Sequence, residues 1–349
     1  MSSSPARRSP WTVRLVACVM VAAGLLAGCA SNAPQAAPRL TGSVIQFNPA
    51  HAVWVRSDWA KLFKSLRALG MTQIVVQWTV DGKSAYYPSR HFRPGPMPPL
   101  GAILDLADEA GMRVLVGLAH EPGYWTQIVE DPARVERHLR DLRTRSIQAA
   151  RELAPVVAHR KSFEGWYLSE EIDDLNWRDP ARRALLASHL KALTTELRTV
   201  DARGRIAISG FANAGTDVAA LEGLWSGLLA EAPELGLVLF QDGVGVGKLS
   251  LEELGPVLGA VRRATDGRSR ELRVIVEVFR QTAGAPIDQR AFAAEPAPLG
   301  RVQRQIAIAR AHSSSLIAFS VPDYMHAGGP PLVTQLFDAY RRGCEEDRC

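Results

Sequence analysis

Cysteine is scarce in this 349-residue chain: there are four, two of them within the first 29 residues. That number excludes a disulfide scaffold or a cysteine-rich metal cluster, so any catalysis falls to oxygen and nitrogen side chains. Charge of one sign is scarce too. Lysine and arginine number 41 against 36 acids, a formal +5. Arg7, Arg8 and Arg14 precede every acid, so the remainder carries only about +2, too little to argue for nucleic acid. The apolar stretch Leu15–Leu26 is too short to span a bilayer, and nothing in the composition reads as a multi-span membrane protein. An apolar fraction of 47% also excludes a disordered chain. No Gly-x-Gly-x-x-Gly turn follows a strand; the run Gly243-Val244-Gly245-Val246-Gly247 has the wrong spacing for a dinucleotide and no helix opening on it. His120-Glu121 lacks the His-x-x-x-His spacing of a helical zinc site, and His51, His91 and His120 read as loop histidines with local hydrogen bonds. No Gly-x-Ser-x-Gly elbow accompanies an acyl-transfer triad, and Pro94 to Pro99 reads as a stiff loop. Neither a metal nor a cofactor is expected.

The N-terminus has the grammar of export. A basic segment carrying Arg7, Arg8 and Arg14 precedes the apolar stretch, and Leu26-Ala27-Gly28-Cys29 follows directly. This string resembles the lipobox of bacterial lipoproteins, which implies a signal peptide over residues 1–28 and a lipidated Cys29. Polar and Pro-rich Ser31 to Pro38 reads as a tether, so residues 29–41 link anchor to domain. Ala30 rather than Asp follows the cysteine, which by lipoprotein sorting implies the outer membrane, facing periplasm or surface. In that compartment Cys344 and Cys349 of the tail, residues 344–349, are a candidate disulfide; an idle tail is the alternative.

From there strand and helix alternate eight times. Val- and Ile-rich runs at Ser43–Phe47, Gln73–Trp78, Arg113–Leu118, Phe163–Ser169, Arg205–Gly210, Leu237–Gln241, Leu272–Phe279 and Ser315–Ser320 predict strands. Amphipathic stretches predict helices between them. Asp58 to Leu69 puts Trp59, Leu62, Phe63, Leu66 and Leu69 on one face and stops at Gly70-Met71; Leu100 to Ala110 stops in the same way at Gly111-Met112. Further helices are read over Arg134–Leu153, Pro180–Val200, Asp217–Ala232, Leu251–Ala264, Leu299–Ala311 and Pro331–Arg342. Such alternation implies a parallel sheet, and eight units in about 300 residues have the size of a (β/α)8 TIM barrel, here one domain over 42–343. A doubly wound open sheet is the alternative.

Barrels of this kind build their sites at the carboxyl ends of the strands. The strand ends here are Gln46, Gln77-Trp78, His120-Glu121, Glu170-Glu171, Asn213, Gln241-Asp242, Glu277 and Asp323-Tyr324. Aromatics collect beside them: Trp78, Tyr86, Tyr87, Tyr124, Trp125, Trp166, Tyr167, Trp177 and Tyr324. Rings beside amides and carboxylates suit sugars, which offer a CH face and a hydroxyl edge, although about half of such rings would pack under loops instead. Gln46, Gln77, Trp78, Trp125, Tyr167, Asn213, Gln241, Asp242 and Tyr324 are therefore candidate substrate-binding residues. Glu277 interrupts Val274-Ile275-Val276-Glu277-Val278-Phe279, where a lone charge needs either a partner or a function. On the fourth strand Gly165, Tyr167 and Ser169 share parity with Glu171, which faces the lumen, while Glu170 falls on the helix side and is the alternate. Lumen amides Gln46, Gln77 and Gln241 are expected to keep Glu277 ionised, with Glu171 sitting higher.

Glutamates at the ends of strands four and seven resemble the retaining glycoside hydrolases of clan A, which implies acid/base for Glu171 and nucleophile for Glu277. The clan usually has Asn before the acid/base, and Glu170 stands there. More closely, Gly42-Ser43-Val44-Ile45-Gln46-Phe47, Ile74-Val75-Val76-Gln77-Trp78-Thr79 with Ala85-Tyr86-Tyr87-Pro88, Gly165-Trp166-Tyr167-Leu168 ending in Glu171-Ile172-Asp173, and Phe240-Gln241-Asp242-Gly243 resemble the barrel family known as domain of unknown function 4434. The resemblance spans nearly the whole chain after the anchor. It implies a glycosidase-like site acting on an envelope or extracellular polysaccharide, or a barrel that binds glycan without cutting it. No obligate protein partner is evident.

Overall fold

The computed structural model describes residues 39–346 apart from 49, 50, 52 and 96. The expected signal peptide over 1–28, the lipid-bearing Cys29, its tether up to Pro38, and Cys349 lie outside the described residues. Cys344 is disulfide-bonded.

Eight strands form a closed barrel: β1 (Gly42–Ile45), β2 (Gln73–Val76), β3 (Arg113–Gly117), β4 (Phe163–Asp173), β5 (Arg205–Phe211), β6 (Leu237–Gln241), β7 (Glu271–Glu277) and β8 (Leu316–Phe319). Each pairs in parallel with its two neighbours, and β8 closes on β1 through Gly42 opposite Ile317. The long helices are α1 (Arg56–Ala68), α2 (Leu100–Ala110), α3 (Pro132–Val157), α4 (Pro180–Val200), α5 (Val218–Glu231), α6 (Leu251–Asp266), α7 (Leu299–Arg310) and α8 (Pro331–Glu345), with one-turn helices at Tyr124–Gln127 and Val321–Tyr324. One long helix follows each strand and the sheet closes, so the fold is the (β/α)8 barrel rather than the open sheet. Local sequence explains the boundaries. Met71 and Met112 donate their backbone N–H back to Leu66 and Ala107 carbonyls at 3.0 and 2.9 Å across Gly70 and Gly111, both at positive φ. Ser250 and Glu253 form a capping box at the start of α6.

Val44, Val75, Leu115, Tyr167, Ala207, Leu237, Leu239, Ile275 and Ile317 fill the lumen. Below that layer Arg273 is 1% exposed, and its guanidinium donates to Glu164 Oε2 at 3.1 Å and Glu271 Oε1 at 2.8 Å. On β7 the inward sequence is therefore Arg273, Ile275, Glu277: floor, core and mouth, set by the two-residue period of a strand.

Three excursions depart from the simple alternation. Strand β4 runs four residues past its expected end because Ser169 and Glu170 form a bulge, with the pairing to β5 jumping from Leu168–Ile208 to Glu171–Ser209. The expected seventh strand stops at Glu277; Phe279–Ala283 instead pairs antiparallel with Ala293–Pro296. A four-stranded sheet of two-residue strands, Val80–Asp81, Ser84–Ala85, Arg93–Pro94 and Ala119–His120, covers the ends of β2 and β3.

Candidate functional site

Two residues beyond a core position on the same strand, a side chain again faces inward but now at the barrel mouth. Val44 leads to Gln46, Val75 to Gln77, Leu239 to Gln241, Ile275 to Glu277 and Ile317 to Phe319, and all five endpoints line one cavity of about 610 Å³. Glu171 joins them because the bulge inserts two residues and so preserves the parity that starts at Tyr167. The wall is completed by loop residues, including Trp78, His120, Tyr124, Trp125, Phe292, Asp323 and Tyr324.

Glu171 and Glu277 are held differently. Gln77 Nε2 and Gln241 Nε2 both donate to Glu171 Oε1, at 3.3 and 2.8 Å, and Tyr124 Oη donates to the Glu171 carbonyl at 3.0 Å. Burial raises the Glu171 carboxyl above its ordinary range, opposed by the Gln241 amide and the charge of Lys248. Glu277 receives no amide from Gln77 or Gln241; Val246 N donates to its Oε2 at 2.9 Å. Burial first, and the neighbouring Asp242 second, push Glu277 up to about 8. The expected donors are thus corrected: two of the three amides serve Glu171, and Glu277 is raised rather than held low. The cause is burial at 3% exposure with an acid beneath it.

Gly245 explains how the loop reaches Glu277. A Cβ there would lie 2.6 Å from the Phe279 carbonyl oxygen, 2.7 Å from Glu277 Cβ and 2.8 Å from Glu277 Oε2, so only glycine permits the approach. The glycine run that fails as a nucleotide loop is the cradle of a carboxyl.

Three expected substrate contacts lie elsewhere. Tyr167 is a lumen residue, 2% exposed, whose hydroxyl pairs with Ser209 Oγ at 2.6 Å below the cavity. Asp242 follows the inward Gln241 and so points to the helix layer, where its Oδ2 accepts from Gln305 Nε2 at 2.6 Å and its Oδ1 from Glu277 N at 3.3 Å; burial pushes its carboxyl up to about 6. Asn213 ties the ends of β4 and β5, donating to Asp173 and Asp174 at 3.2 and 2.9 Å. Glu170, also outward, is fully buried against His189 of α4 at 2.7 Å. Of the nine aromatics, Trp78, Tyr124, Trp125 and Tyr324 reach the cavity, whereas Trp166 and Trp177 are wholly buried. Trp78 stacks on His120 at 4.3 Å, and Tyr324 on Phe279 at 5.1 Å. His120 makes the expected local bond, Nδ1 to Asp81 Oδ1 at 2.8 Å, and also faces the cavity. Sequence reasoning passes over Phe292 and Phe319, which lack a polar signal, and over Gln305 and Arg301 of α7, which brace Asp242 and the Glu277 carbonyl from outside the barrel.

Residues 40–331 match the model of a family described as a domain of unknown function, DUF4434. A curated relative, the uncharacterized protein YbcH of Escherichia coli (strain K12), is 31% identical over 201 residues, which cover 56% of this chain and 62% of that protein, less than two thirds of its length. Among solved structures, a Bacteroides thetaiotaomicron VPI-5482 protein provisionally assigned as an alpha-L-fucosidase superposes with a TM-score of 0.73 at 18% identity, covering 88% of this chain and 96% of that one. A beta-galactosidase from the psychrophilic Marinomonas ef1 gives 0.57 at 12% identity over 87% and 59% of the two chains. A thermostable mutant of a xylanase from Cellvibrio japonicus gives 0.51 at 13% over 88% and 98%. At these identities the likeness shows the fold, that of glycoside-hydrolase TIM barrels.

Proposed function

Because the chain belongs to the DUF4434 family, whose description names no activity, we propose from the site itself that it hydrolyses glycosidic bonds of a polysaccharide by a retaining two-carboxylate mechanism. The observation that carries this is the convergence of Glu171 and Glu277, from strands four and seven, on one aromatic-walled cavity. Fold neighbours named for fucosidase, galactosidase and xylanase activities support the same class of chemistry. In the first step Glu277 attacks the anomeric carbon while Glu171 gives its proton to the departing oxygen. In the second, Glu171 takes a proton from water, which attacks the same carbon and frees Glu277.

That scheme needs one proton on the pair, placed on Glu171. In the free protein burial raises both carboxyls, Glu277 to about 8 with Asp242 adding to the push. Positive charge developing at the anomeric carbon favours the form with Glu277 ionised. Gln77 and Gln241 donate to Glu171 and stabilise the carboxylate it becomes once its proton has passed to the departing oxygen.

The location is proposed from Leu26-Ala27-Gly28-Cys29: a lipid anchor in the cell envelope, on the outer membrane, beside polysaccharide. Two assays test the reading. Reducing-end release across a panel of bacterial polysaccharides should be found for at least one glycan and be lost in Glu277→Gln; glycan binding without release in the wild-type protein would replace the hydrolase by a binding barrel. Metabolic labelling with a fatty acid should mark the full-length chain and not Cys29→Ser, and equal labelling of both would overturn the anchor.

A further inference from the structure

Resting on the glycan reading of the same cavity, we infer that the sugar units held there carry no carboxylate, sulfate or phosphate group. Three carboxyl side chains, Glu171, Glu277 and Asp323, line the cavity, and among the described residues no lysine or arginine does. The nearby cations are engaged elsewhere. Lys248 sits with its ammonium 3.3 Å from the centre of the Phe211 ring, and Arg301 donates to the backbone carbonyls of Val244, Glu277 and Phe279. An anionic sugar would enter a low-dielectric pocket walled by three carboxyl groups and no lysine or arginine, with the charge of Lys248 already shared between Glu171 and Glu277.

Hydrogen-bonding capacity points the same way. Gln77 is 6% exposed and its Oε1 is buried with no partner; beside it Trp78, 7% exposed, has its Nε1–H buried with no partner. One atom needs a donor and the other an acceptor. A hydroxyl is able to answer either, donating to Gln77 Oε1 or accepting from Trp78 Nε1. A carboxylate, sulfate or fully ionised phosphate group in the same place only accepts, so it answers Trp78 and leaves the Gln77 oxygen without a donor.

The test is a comparison of matched oligosaccharides: glucose with glucuronic acid, mannose with mannuronic acid, and galactose with galacturonic acid oligomers. Binding is measured by calorimetry on the wild-type protein and on Glu277→Gln, at low and at high salt. For whichever pair binds best, the neutral member is expected to bind at least about tenfold tighter, with the gap narrowing as salt screens the wall charge. An acidic member that binds as tightly as its neutral partner, or tighter, would overturn the inference and leave the glycan reading standing. If no oligomer of either kind binds and no polysaccharide is cut, the glycan reading itself falls and takes this inference with it.

Discussion

Replacing Gly245 with Ala tests how the Glu277 carboxyl is held. The added methyl group would stand 2.6 Å from the Phe279 carbonyl oxygen and under 3 Å from two atoms of Glu277. Backbone oxygen cannot swing aside, so the loop must retreat by roughly half an ångström or more, and overpacking of this kind costs about 1 to 3 kcal/mol. The retreat stretches the 2.9 Å bond from Val246 N to Glu277 Oε2 to the edge of hydrogen-bonding distance. That bond opposes the upward push of burial on Glu277, so its loss should raise the carboxyl further. Losing a hydrogen bond to an ionised Glu277 should also lower kcat/KM by about 10- to 100-fold. Gly247→Ala is the control: Gly247 has φ +72° and nothing within 4 Å of a new Cβ, so it should lose about 1 kcal/mol to backbone strain and keep the site intact. Thermal unfolding of both variants, with pH–rate profiles on the best polysaccharide, reads the difference. Destabilisation in both, with an altered profile in Gly245→Ala only, is expected. Wild-type stability and rate in Gly245→Ala would refute the glycine-loop cradle.

Three more expectations follow from other contacts. Glu277 is raised to about 8, so by linkage it contributes stability that is fully present below the ordinary carboxylate range and lost as pH rises through about 8, and denaturant titrations should show that loss in wild type and a flatter profile in Glu277→Gln. Trp78→Ala removes a buried ring from the cavity wall and should weaken oligosaccharide binding by about 1 to 3 kcal/mol in calorimetry, while unchanged affinity in a folded variant would remove Trp78 from the sugar contacts. At the barrel floor, Arg273→Ala removes the buried partner of Glu164 and leaves it Arg113 and Arg205 at 3.5 and 3.8 Å; it should cost up to about 3 kcal/mol in chemical unfolding, with a loss under 1 kcal/mol contradicting the role given to that ion pair.

How far the sequence carries depends on which physical signal each residue leaves. Strand and helix leave a period, and Leu100–Ala110 and Pro180–Val200 appear in the structure with the boundaries that period predicts. The mouth residues Gln46, Gln77, Gln241 and Glu277 were legible because a polar side chain on an apolar strand is conspicuous, and parity alone separates Glu171 from Glu170. The same parity, applied to Gln241-Asp242, would have sent Asp242 outward to Gln305. Tyr167 has the right parity but stands one layer too deep, and depth along a strand is set by where the chain ends its pairing rather than by alternation. Partner choice was the least legible part. The lumen amides are expected to donate to Glu277, and two of them, Gln77 and Gln241, donate to Glu171 instead, while the donor to Glu277 is a backbone N–H in a glycine run whose purpose no side-chain pattern announces.

The central claim, that Glu277 and Glu171 divide nucleophile and acid/base work, is tested most directly by the two glutamine variants on paired substrates with good and poor leaving groups. Glu277→Gln should lose turnover on both. Glu171→Gln should lose turnover on the poor leaving group alone, because the good one departs without a proton, and added azide should restore its rate by attacking the glycosyl-enzyme intermediate to give a glycosyl azide of retained configuration. Near wild-type turnover of both substrates by both variants would contradict the claim.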